Sequence, residues 1–157
     1  MMRNVRHPKT HRELCELACR FLRNHGFRVV FSEGFYAQAS FGERPDVLGF
    51  RYGASCLIEV ICSRSDFLTD RKKVFRAEPE KGMGDWRFYL CEPGVITVDD
   101  LPAGWGLLYV INGGSGKYMA GPEIISGWLR LQNRSGQTNR LNAIICSVHC
   151  AGWKSGA

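Results

Sequence analysis

At 157 residues and 17.7 kDa the chain has room for one domain with a real core, and we expect a single domain spanning 1–157. Its hydrophobic fraction is 45% and its mean hydropathy −0.19. No apolar run approaches the roughly 18 residues of a membrane span and no signal-peptide pattern opens the chain, so the expectation is a cytoplasmic protein with no membrane partner. A net charge of +6 draws polyanions and makes binding them salt-dependent, without singling out a nucleic acid.

Residues 11–25 read as a helix: Leu14, Leu17, Ala18, Phe21 and Leu22 repeat at three- and four-residue spacing, and Gly26 follows as the stop. Phe27 to Ser32 is β-branched and aromatic, hence a strand, and it ends at Glu33. A polar, glycine-punctuated connection (34–44) leads to a second strand, Asp46 to Tyr52. A turn at Gly53-Ala54-Ser55 then opens a third strand, Cys56 to Cys62, which is apolar almost throughout. A strand apolar on both faces is central in its sheet, and a lone acid in it, Glu59, is costly without a partner or a metal. Ser63 reads as an N-cap, with Asp66 three residues on, ahead of a basic helix from Ser65 to about Ala77 that Pro79 ends. Arg87 to Cys91 is a fourth strand and Gly106 to Ile111 a fifth. Gly113 to Gly116 is a connection without the lysine and hydroxyl of a phosphate loop, and residues 122–132 and 139–150 are expected helices. The order predicts an α/β domain, a mixed central β-sheet flanked by helices.

Seven cysteines, an odd number, fit no disulfide framework, and Cys15, Cys19, Cys56 and Cys62 read as small buried hydrophobes. Cys146-Ser-Val-His149-Cys150 lacks a second ligand pair at zinc-site spacing and reads as packing. The acids are more pointed. Strand side chains repeat their direction every two residues, so Asp46, after Pro45, and Glu59 can meet at the edge of a sheet and hold a divalent ion between two carboxylates. Each has an ordinary alternative: Asp46 as a turn residue, Glu59 as the partner of a buried arginine, Glu33 as a loop acid, and Lys72 and Lys73 as a solvated helix face.

Taken in order, these segments resemble the PD-(D/E)XK nuclease superfamily, and within it a group of small phage and bacterial proteins. The motifs are Pro45-Asp46, Glu59-Val-Ile-Cys-Ser63-Arg64-Ser-Asp66-Phe67, Asp70-Arg71-Lys72-Lys73, Gly82-Met83-Gly84, Phe88-Tyr89-Leu90 and Leu101-Pro-Ala-Gly-Trp105-Gly-Leu-Leu108. Glu13 and Glu16 of the first helix and Glu33 add to them, and the resemblance covers roughly 11–110. It implies a restriction-endonuclease-like fold and a Mg2+- or Mn2+-dependent DNA nuclease, with Glu33, Asp46 and Glu59 as metal ligands. Asp46 and Glu59 would be catalytic, and Arg64, Arg71, Lys72, Lys73 and Arg76 would contact DNA.

The family lysine two residues after the glutamate is replaced here by Ile61, which cannot orient water or offset transition-state charge. Lys72 or Lys73 is the expected substitute, Arg64 being always protonated. The alternative is a catalytically inactive nuclease fold that binds DNA or inhibits a host nuclease or defence protein. A third expectation is a structural role in a phage particle or replication complex.

Overall fold

The computed structural model describes residues 7–32, 42–51 and 53–110, with Pro79 in its backbone only, and the backbone of 117–119. Helix α1 (His11–Asn24) begins at a reciprocal cap: Thr10 Oγ1 accepts from the Glu13 N–H, and Glu13 Oε2 accepts from the Thr10 N–H at 2.7 Å. Leu14, Cys15, Ala18, Phe21 and Leu22 form its buried stripe.

Five strands make a mixed sheet: β1 (Val29–Ser32), β2 (Val47–Arg51), β3 (Ala54–Val60), β4 (Trp86–Cys91) and β5 (Trp105–Tyr109). A short β6 (Lys117–Met119) extends it beyond β5. The spatial order follows the chain from β1 to β6. Pairing is antiparallel for β1–β2, β2–β3 and β5–β6, and parallel for β3–β4 and β4–β5. The apolar run of β3 lies in the middle of the sheet, and alternate residues feed two cores. Cys56, Ile58 and Val60 pack with Phe88, Leu90 and Leu108 against α1. Leu57 and Ile61 pack with Leu48, Tyr89, Trp105 and Leu107 against Phe67 from the other side. Helix α1 comes close to the sheet over Gly49, where a β-carbon would stand 2.9 Å from Leu22 Cδ1.

The basic helix expected from Ser65 to Ala77 is instead two helices, α2 (Arg64–Asp70) and α3 (Val74–Ala77), separated by a turn in which Lys73 is extended (φ −62°, ψ 139°). The reason lies in Asp70 and Arg76. Six residues apart, they would sit roughly 240° apart around a continuous helix, and breaking it lets both side chains enter one site. The cap at Ser63 is half of the expected pair, its Oγ accepting from the Asp66 N–H at 3.2 Å. Cys62, expected to be buried, is exposed just past the end of β3, whereas Cys15, Cys19 and Cys56 are buried. Strand ends differ too: β1 starts at Val29, β2 runs only from Val47 to Arg51, β3 covers Ala54–Val60, β4 gains Trp86, and β5 is Trp105–Tyr109. Glu33, the expected helices 122–132 and 139–150, and the Cys146–Cys150 segment lie outside the described residues.

Candidate functional site

Asp46 and Glu59 lie across from each other where β2 meets β3. The antiparallel register pairs Val47 with Ile58, so Asp46, one residue before β2, stands opposite Glu59. Asp46 Oδ2 accepts the Val60 N–H at 2.8 Å, which extends the ladder by one bond. From the helical layer, His11 Nε2 stands 3.4 Å from Asp46 Oδ1, and His11 Nδ1 is 3.6 Å from Cys15 Sγ.

Glu59 is 2% exposed. Burial pushes its carboxyl well above the usual carboxylate range, and the charge of Asp46 and a hydrogen bond between the two acids push the same way. Lys73 and Arg76 only partly oppose the shift. The upward shift marks a buried site in which two carboxyls are crowded together.

Arg76 is the hub of that site. Only 7% exposed, it donates from Nη1 to Glu43 Oε1 (2.8 Å), from Nη2 to Glu59 Oε1 (3.0 Å) and Asp70 Oδ1 (2.9 Å), and from Nε to Asp70 Oδ2 (2.7 Å). Its guanidinium lies over the Trp105 ring, 4.4 Å from the centroid, and Trp105 stacks on Tyr89. Tyr89, the register partner of Glu59 on β4, donates from its hydroxyl to Asp70 Oδ2 at 2.6 Å. Glu43 also accepts the Met83 N–H, which gives the Gly82-Met83-Gly84 motif a structural task. Burial opposes ionisation of Asp70, but hydrogen bonds from Arg76, Lys73 and Tyr89 outweigh it and hold the carboxyl below its ordinary value. Arg76 is in turn locked in its charged form, the bonds to Asp70 and the charge of Glu59 overcoming its burial.

The two candidate lysines separate. Lys73 Nζ lies 2.7 Å from Asp70 Oδ1; burial works against its charge, but the nearby Glu59 and the bond to Asp70 outweigh it, so the ammonium is retained. Lys72 is exposed on the turn. Ile61 is 3% exposed in the apolar cluster under Phe67, on the same sheet face as Glu59.

Of the residues expected to contact DNA, Arg64 is half-exposed and holds Asp100 bidentately at 2.6 and 2.7 Å, while Arg71 and Lys72 are exposed and Lys73 is shared with the acidic site. Arg76 departs from the expectation of a solvent-facing cation: it is enclosed by carboxylates and cannot reach a phosphate backbone. Glu13 and Glu16 lie on the outer side of α1, the first in the cap and the second paired with Arg12. Trp105 is a packing residue. Sequence reasoning missed Glu43, Tyr89, Asp70 and His11 as members of the site. Only the parity of Tyr89 on its strand carried a signal, and using it required the β3–β4 register.

Among the described residues no group of three or more His, Cys, Asp or Glu side chains is arranged to hold a metal ion unaided. Comparisons with protein-family models, with curated proteins and with solved structures find no match to this chain.

Proposed function

We propose that this chain is a magnesium- or manganese-dependent phosphodiesterase of the PD-(D/E)XK type acting on DNA, with Asp46 and Glu59 as its metal carboxylates and Lys73 in place of the lysine that Ile61 replaces. The observation that carries the reading is the meeting of Asp46 and Glu59 across β2 and β3, with the Lys73 ammonium held on Asp70, which shares Arg76 with Glu59. Two hard carboxylates suit magnesium, which keeps several waters and completes its shell with substrate phosphate oxygens. The crowding of Asp46 against Glu59, which raises the Glu59 carboxyl, is what a divalent cation would relieve. An ion bound there would polarise the phosphoryl oxygen and acidify an attacking water. The chain's own residues supply the rest. Asp46 is oriented by the Val60 N–H, and Lys73 offsets negative charge growing on the phosphoryl group. Tyr89 and Arg76 fix Asp70, which holds Lys73 in position.

One observation favours a second reading. Arg76 already gives Glu59 a cation at 3.0 Å, so the site is internally balanced in part without a metal. A nuclease fold in this state would bind DNA without cutting it, or would act on a host or phage protein.

Incubating the purified protein with linear, circular and single-stranded DNA, in magnesium, manganese or EDTA, separates the two. Metal-dependent cleavage that is lost in Asp46→Asn supports the enzyme. A folded protein that cuts nothing with either metal supports the second reading and directs the search to a protein partner.

A further inference from the structure

A groove runs along the outer flank of α1, a cavity of about 740 Å³ lined by Arg12, Arg20, Arg23, Asn24 and Ser32, with the thiols of Cys15 and Cys19 on its floor. One end of its lining reaches the acidic site. Arg12 follows His11, whose imidazole reaches Asp46, and Ser32 pairs across the sheet with Val47, the residue after Asp46. The groove's charge is unbalanced. Among the described residues of its lining, three arginines face one acid, Glu16, tied to Arg12 in an exposed pair of the kind that contributes little. Glu13, the other acid of the helix, is consumed by the cap.

We infer that this groove is a track for one strand of nucleic acid, which it leads to the Asp46–Glu59 edge. The inference rests on the phosphodiesterase reading for the strand's destination, not for its binding. From Arg12 to Arg23 the helix rises about 16 Å, enough for several successive phosphates of an extended strand. The lining arginines lie in one row along a single helix flank, which fits one phosphate backbone rather than the two of a duplex. The arginines of the lining offer charge to the phosphate backbone, a contact that carries no sequence information.

The test is binding of a fluorescently labelled single-stranded oligonucleotide in EDTA, measured across a salt series, with a duplex of the same length alongside. Each phosphate contact to a single strand contributes about 0.7 to the slope of log affinity against log salt. Arg12→Gln/Arg20→Gln/Arg23→Gln is therefore expected to flatten that slope by about 2 and to weaken the single strand more than the duplex. Arg20→Gln/Arg23→Gln, which leaves the Arg12–Glu16 pair intact, is expected to show about two thirds of that change, with thermal melts checking that both variants fold. Unchanged affinity and slope in the folded triple variant, or equal weakening of both substrates, would overturn the track. Because EDTA removes cleavage from the readout, wild-type binding that the triple variant loses supports the track even if no DNA is ever cut. Cleavage by a triple variant that binds like wild type removes the track and leaves the enzyme standing.

Discussion

At Lys73 and Ile61 the chemistry turns on single side chains. Ile61 shares a face with Glu59 but is packed among Leu57, Tyr89 and Phe67. Ile61→Lys is therefore expected to lower stability by about 3 kcal/mol in urea titrations without raising cleavage, because the ammonium displaces a core methyl group and Lys73 already supplies the charge. Lys73→Ala should abolish metal-dependent cleavage while leaving DNA binding nearly intact, and Lys72→Ala should leave cleavage unchanged; equal loss in both would remove Lys73 from its role. Asp70→Asn strips Arg76 and Lys73 of their best acceptor and should cost about 3–5 kcal/mol, the usual result of breaking a buried pair from one side. Its pH signature follows from sign. An acid held below its ordinary 3.8 contributes stability that is fully present above that value and is lost as pH falls through its folded value. Wild-type melting temperature should thus drop below about pH 3.8, and the drop should be shallower in Asp70→Asn.

Elements were legible where periodicity had no rival. Helix α1 carries an apolar stripe and a terminal Gly26, and β3 is too apolar to lie anywhere but the centre. Strand parity brought Asp46 and Glu59 together because slipping the β2–β3 register by one residue would turn every buried side chain of those strands to the other face. The break between α2 and α3 was not legible. Residues 64–77 contain no glycine or proline, so local propensity favours one helix, and only the gain of three acidic partners for Arg76 overrides it. Glu43 was hidden for the same reason: it sits in a polar connection, and nothing local marks it as a residue that ends up 1% exposed. The turn before β4 offers a test at this scale. Gly84 has φ 86°, and a β-carbon there would lie 2.8 Å from Leu57 Cβ and 2.9 Å from the Trp86 carbonyl. Gly84→Ala combines left-handed strain with a clash against backbone and should cost about 2 kcal/mol or more of unfolding free energy. Because the same turn delivers the Met83 N–H to Glu43, cleavage should fall with it.

At the scale of the molecule, three acids, Glu43, Glu59 and Asp70, are buried around Arg76, while Glu16, Asp66, Asp85 and Asp99 stay at the surface among the cations of α1 and the α2–α3 turn. On the proposed reading, those surface cations would hold a polyanion while a single bond approaches the buried carboxylates. This arrangement also explains why the overall charge of +6 could not, by itself, locate the site. Arg64→Gln/Arg71→Gln/Lys72→Gln should flatten the salt dependence of duplex binding, with Arg76 contributing nothing to that slope because it is enclosed; an unflattened slope would shift duplex contact away from α2.

The strand order β1 to β6 has a consequence in time as well as in space. Each strand is laid beside the one made just before it, so no part of the sheet waits for a distant partner. Short sequence separations between neighbours favour rapid folding. On a ribosome, Glu43, Asp46, Glu59, Asp70, Arg76 and Tyr89 would all have emerged once β4 is out. Glu43 and Glu59 precede Arg76 by 33 and 17 residues, so the buried acids wait for that one cation before the core around them can close. The order of assembly is written into the order of the chain.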